Sequence, residues 1–169
     1  MLPKTLRAMN LFVDGRGHAG LATELTLPKL TRKTEEHRAA GMDAPLEMDM
    51  GMEKLEADFT LTDFNDAILK LWGVTDAAGV SLRFKGSIAR DDGSGQEDPV
   101  EIVLRGRWRE IDMGSWKPGD RAPLKVIVAV TYYQYRQAHQ DLIEIDVLNG
   151  VEKVGGVDRL AQRRANLGM

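Results

Sequence analysis

The segment Gly15-Arg16-Gly17-His18-Ala19-Gly20 has the spacing GxGxxG and follows the strand-like run Asn10 to Asp14. It is the first candidate for chemistry, as a cradle for a dinucleotide pyrophosphate. Such a cradle needs a helix N-terminus directly after the glycines, whose free N–H groups and dipole hold the anion. Here Leu21 to Leu27 alternates like a strand and Pro28 follows at once. The motif therefore reads as a hairpin turn. His18, His37 and His139 lie far apart, and none has a second ligand at the short spacing of zinc motifs. They read as surface or interface histidines. The carboxylate pairs Asp91/Asp92, Glu110/Asp112 and Glu144/Asp146 could supply an acid and a base, but no nucleophile is matched to them. Solvated turns and strand faces account for them better. No catalytic residue, metal ligand or cofactor is expected.

Basic residues offer a second chemistry. Arg105, Arg107 and Arg109 share one strand face, and Arg83 and Lys85 share a face of the strand expected to pair with it. With Trp108, Tyr132 and Tyr133 nearby, these are the parts of a platform for single-stranded nucleic acid. Trp108, however, alternates to the opposite face. Acidic residues number 26 against 23 Lys and Arg, and a net charge of −3 gives no overall attraction to a phosphate backbone. An ion-paired subunit interface fits these arginines better than a binding groove.

The elements that must position these groups are mostly strands. Leu55, Ala57, Phe59 and Leu61 alternate with Glu56, Asp58 and Thr60, which predicts a strand over 53–61. Phe64, Ala67, Ile68, Leu71 and Trp72 then form a helical stripe, with Asp63 to cap it and Gly73 to end it. Val80 to Arg90 and Val100 to Ile111 form a hairpin around the turn-rich 91–95, with Leu82, Phe84, Ile88 and then Ile102, Leu104, Trp108 turned inward. Leu124 to Tyr135 is apolar and β-branched at nearly every position, as in a strand covered on both faces. Leu142 to Leu148 returns beside it, and a short helix from Asp158 to Leu167 ends at Gly168.

Each of the two longest segments spans roughly 40 Å at about 3.3 Å per residue. A chain of 169 residues has few further strands to cover such edges. Oligomerisation is the expected state, because pairing with a second copy removes an open edge. No repeat or linker divides residues 1–169, which read as a single domain. The absence of cysteine fits folding in a reducing cytoplasm, and no stretch approaches the roughly 20 apolar residues of a membrane helix. No membrane insertion is expected.

The stretch 35–52 is unusual. Met42, Met48, Met50 and Met52 stand among Gly41, Gly51, Pro45 and acidic residues. Methionine on a glycine-containing loop is adaptable apolar contact surface, so 37–52 is expected to be an extended loop that adheres to another subunit.

At this point the sequence resembles a family. The runs NLFVDG (10–15), LTLPKLTRKTEEHRAAGMDAPLEMDMGMEKLEADFTL (25–61), LRFKGSIARDDG (82–93), LRGRWREIDMGSWKPGD (104–120), VTYYQY (130–135) and EIDVLNGVEKVGGVDRLAQRRANLG (144–168) are similar to the major tail tube protein of contractile-tailed temperate phages and to the R-type pyocin tube protein. The resemblance implies a mainly β fold, a two-sheet β-barrel or sandwich with one flanking helix and a short C-terminal helix. It also implies hexameric rings that stack into a hollow tube, a needle and DNA conduit without enzymatic activity, in a virion tail or pyocin-like particle assembled in the host cytoplasm. The partners it implies are other copies, a sheath protein, a baseplate or tube initiator, a tape measure protein and DNA in passage without specific binding. A type VI secretion ring protein would share the fold. Within such a tube the methionines of 37–52 are expected between rings, and some of Glu56, Asp58, Glu144 and Asp146 at the lumen, where negative charge lets DNA slide.

Overall fold

The computed structural model describes residues 2–169. In chain order its elements are β1 (Lys4–Val13), β2 (Arg16–Gly17), β3 (Ala22–Thr26), β4 (Arg32–His37), β5 (Leu46–Met52), β6 (Leu55–Leu61), α1 (Asp66–Leu69), β7 (Val80–Arg90), β8 (Glu97–Asp112), β9 (Leu124–Gln137), β10 (Gln140–Asp146), β11 (Val151–Val154), β12 (Val157–Asp158) and α2 (Ala161–Leu167). The mainly β class read from the sequence is what forms. Its two sheets are unequal, one of ten strands and one of only two, β4 and β5. The large sheet runs β12-β11-β10-β9-β8-β7-β1-β2, with β3-β6 joined to β9 as a branch.

Period-two patterning shapes this sheet. In β6 the residues Leu55, Ala57, Phe59 and Leu61 are buried while Glu56, Asp58 and Thr60 are half-buried, as alternation requires. β7 and β8 pair from Val80↔Gly106 to Ala89↔Glu97 and turn Leu82, Phe84, Ile102, Leu104 and Trp108 inward. The sheet curls until β3 approaches β1, so the core of Leu11, Phe59, Phe84, Trp108, Val126 and Val128 is enclosed by a sheet bent around it. No ladder joins β3 to β1, and the barrel stays open.

A single extra residue decides which way β9 faces. Arg105 is opposite Tyr132 and Gly106 is opposite Val130, which leaves Thr131 as a bulge. Before it Val126, Val128 and Val130 are buried; after it Tyr133 is. Ile127, Ala129 and Thr131 are only half-buried. The expectation that β9 is covered on both faces therefore holds fully on one face only; on the other these residues are partly covered, Thr131 by the 75–77 segment.

β9 is also where the sheet forks. β6 pairs with it from Leu124 to Val130, and β10 pairs with it from Tyr132 to Gln137. At the junction the backbone N–H of Val147 donates to the Thr131 carbonyl (2.9 Å) and the Thr131 hydroxyl donates to the Ala77 carbonyl (3.0 Å). Beside it three backbones crowd together. A Cβ on Gly106 would meet the Ala129 carbonyl oxygen at 2.2 Å, and one on Gly79, at φ +59°, would meet the Gly106 carbonyl oxygen at 2.0 Å. Only glycine fits either place.

The helix expected over the 64–72 stripe shrinks to one turn, α1. Its cap is Asn65 and not Asp63: the Asn65 side-chain oxygen accepts from the N–H groups of Ala67 (3.0 Å) and Ile68 (3.3 Å). Ile68 is fully buried, but Phe64 and Trp72, the ends of the stripe, are exposed. Phe64 packs instead against Trp116, with centroids 4.8 Å apart. The C-terminal helix starts at Ala161 and not at Asp158, whose carboxylate accepts the Leu160 N–H (3.1 Å) and pairs with Arg164. Gly168 ends it in the left-handed conformation, as expected.

Candidate functional site

Asp14 and Gly15 both adopt positive φ, the pair of angles a type I′ turn needs, and they join β1 to β2 as a hairpin. β3 follows without any helix, so the GxGxxG segment is a turn. The surface reading of His18 is corrected: it is 7% exposed, and its Nδ1 lies 3.2 Å from the Asn65 side-chain nitrogen. The turn carries it inward against the α1 cap. His37 and His139 are exposed and remote from it. Among the described residues no group of three His, Asp or Glu is placed to hold a metal ion.

Pairing across the long strands lays charges in rows. Lys85 is opposite Glu101, Glu101 opposite Arg136, and Arg136 opposite Asp141, a row of alternating sign over β7, β8, β9 and β10. Arg136 reaches Asp141 (2.6 Å) and Glu101 (3.6 Å), and Arg83 reaches Glu101 (3.2 Å). The Arg136 guanidinium holds the Asp141 carboxyl below the usual carboxylate range. Arg105 stacks over Tyr132 at 4.5 Å, Arg109 pairs with Glu56, and Arg107 donates to the Thr75 carbonyl (3.4 Å). Most of these arginines are thus engaged within the sheet face away from the core, with Trp108 on the core side, as its alternation indicates.

The four acidic positions share that outer face. Glu56 pairs with Arg109, and Asp58 lies 3.9 Å from Lys125. Glu144 accepts from the Tyr132 hydroxyl (3.1 Å), and Asp146 accepts the N–H groups of Leu148 (3.1 Å) and Asn149 (3.2 Å). Burial, then the Glu144 carboxylate, pushes the Tyr132 hydroxyl up to about 12; burial does the same to Tyr133.

The segment expected as a loop over 37–52 is one half of a hairpin. β5 pairs with β4 from His37↔Leu46 to Arg32↔Met52, and the two strands project as an arm with β4 wholly exposed. The sequence reading missed β4 because Arg32 to His37 alternates no apolar residues. The methionines occupy different places. Met48 and Met50 are 47% and 51% exposed, beside Leu46 at 56%. Met42 is half-buried in the tip, its sulfur 3.4 Å from the Ala39 nitrogen, and Met52 packs against the body. Arg32 anchors the base, bridging Asp49 (2.8 Å) to Glu152 of β11 (3.2 Å). That contact holds the Asp49 carboxyl below its usual range.

At the foot of the arm lies an open trough of about 400 Å³, set in the fork between β6, β9 and β10. Leu55, Val130, Ile145 and Val147 line it, with Arg107, Arg163 and Lys54 at its edge.

An isolated two-stranded hairpin is marginal in water. Open strand edges are a second liability, since β2 covers only Phe12 and Val13 of β1. A curled β-sheet with open edges, an uncovered arm and an ion-paired outer face defines a class: a β-structured subunit built for assembly. Comparison with known proteins gives that class its family. A model described as phage tail tube protein FII matches residues 3–168, and the chain belongs to this family. It is 42% identical over 171 aligned residues to the tail tube protein of Escherichia phage P2, covering 99% of each. It is 37% identical over 157 residues to the major tail tube protein of Serratia phage KSP20, covering 92% of this chain and 90% of that one.

Proposed function

We propose that this chain is the structural subunit of the inner tube of a contractile phage tail. Copies close into hexameric rings, the rings stack into a hollow tube inside a sheath, and the tube acts as needle and DNA conduit without bond chemistry. The observation that carries the reading is the end-to-end identity to a phage tail tube protein, 42% over 99% of the chain. Its partners are then further copies, the sheath protein, the tape measure protein and a baseplate or tube initiator. The arm is the adhesive between rings. Its uncovered Leu46, Met48 and Met50 favour this role, since each buried side chain contributes about 1.5 to 3 kcal/mol before ordering costs, and a ring repeats the gain. Met42 and Met52 support the arm from its tip and base. Asp58 and Glu144 are the carboxylates assigned to the lumen; Glu56 and Asp146 border the trough.

Negative-stain micrographs of the purified protein test the reading. Hollow rings and tubes are expected. A protein that stays monomeric at every concentration and salt, or forms filaments without a channel, overturns it.

A further inference from the structure

Every copy carries both an uncovered arm and an unfilled trough. We propose that the trough at the fork of β6, β9 and β10 is the receptor for the β4–β5 arm of the next copy. The inference rests on the reading of the arm as the tube's adhesive and names the surface it grips.

Three observations carry it. The first is charge. On the arm Glu35, on the face of Leu46 and Met48, takes part in no ion pair among the described residues, and at the trough the same is true of Lys54, Arg107 and Arg163, which outnumber the unpaired carboxylates Glu53 and Asp146 there. An unpaired anion on the arm is thus complementary to an excess of unpaired cations at the trough. The second is shape and polarity. Leu46 and Met48 stand directly opposite His37 and Glu35, so one arm face presents apolar side chains with a carboxylate among them. The trough offers an apolar floor with cations at its edge, and its 400 Å³ suits a few inserted side chains. The third is geometry. Arg32, Gly51 and Met52, the root of the arm, belong to the wall of the same trough, and Arg32 holds that root through Asp49 and Glu152. An arm rooted at the wall, with β4 wholly exposed, is free to enter another copy's trough. Such a contact is heterologous, arm to trough, and it propagates from copy to copy.

The chain contains no cysteine, so a disulfide trap is clean. One tagged copy carries Met48→Cys and a differently tagged copy carries Val147→Cys; both positions are exposed. Co-assembled and oxidised, they should yield a heterodimer carrying both tags that reductant dissolves. A chain bearing both cysteines that closes on itself as a monomer, or tubes that form without the heterodimer, overturns the proposal. Charge reversal gives a second measurement, independent of whether the cysteine variants assemble. Glu35→Lys alone and Arg163→Glu alone should each shorten tubes several-fold, and the two together should restore their length. Unchanged lengths in both single variants, or no restoration, overturn the pairing. If Leu46, Met48 and Met50 changed together to Ser still give normal tubes, the arm is not the adhesive and the underlying reading falls. If that variant abolishes tubes while neither heterodimer nor restoration is found, the arm stands and only the trough falls.

Discussion

The indole N–H of Trp108 donates to the backbone carbonyl of Ile68 across 2.9 Å, inside the core. This bond fastens the single turn of α1 to β8. The same carbonyl also accepts the Leu71 N–H at 3.2 Å, so the indole supplies its second hydrogen bond. Phe59 packs edge-on against the same indole at 5.6 Å. Trp108→Phe keeps most of the packing and removes one of the two hydrogen bonds to that carbonyl, so urea unfolding should show a loss of about 0.5–1.5 kcal/mol. Trp108→Ala adds a cavity and should cost about 3–5 kcal/mol.

The crowded backbones beside the fork give a sharper prediction. Gly106→Ala forces a methyl group to within 2.2 Å of the Ala129 carbonyl oxygen, and backbone on both sides must move. A loss of about 1–3 kcal/mol is expected, as for an overpacked core, visible as a lowered thermal midpoint. A variant with wild-type stability would mean that β8 and β9 separate freely here.

Alkaline titration should find two slow-to-ionise tyrosines. Tyr132 and Tyr133 are held near 12, above the ordinary value of 10.0. A phenol whose folded pKa is raised contributes stability that is complete below 10 and is lost as pH rises toward 12. Stability should therefore fall across that interval. Absorbance of the phenolate should show Tyr132 and Tyr133 ionising with the unfolding, and Glu144→Gln should bring Tyr132 down while leaving Tyr133 in place.

The arm can be disabled without harming the body. Leu46, Met48 and Met50 changed together to Ser remove exposed apolar groups, so the monomer's circular dichroism should stay wild-type while long tubes disappear from micrographs. Met52→Ser should behave differently. Its side chain packs against the core, and stability itself should drop.

Local patterning alone determined much of this protein. The alternation of Leu55 to Leu61 placed β6, the hairpin of β7 and β8 was legible from its inward residues, and the glycines of 15–20 announced a turn, because side-chain period and turn chemistry are properties of adjacent residues. The outward arginines opposite Trp108 follow from the same period. The tertiary structure alone decided the rest. Thr131 becomes a bulge only because β8 sets the register, and this reverses the faces of β9. The helical stripe from Phe64 to Trp72 yields one turn because Phe64 finds Trp116, a partner no local pattern can announce. β4 is a strand because β5 pairs with it, not because of its own polar sequence. The trough exists because β6 and β10 leave β9 on either side of Thr131, a relation among three segments distant in sequence. Strand period is local, whereas register, forks and the surfaces between them are set by contacts across the chain.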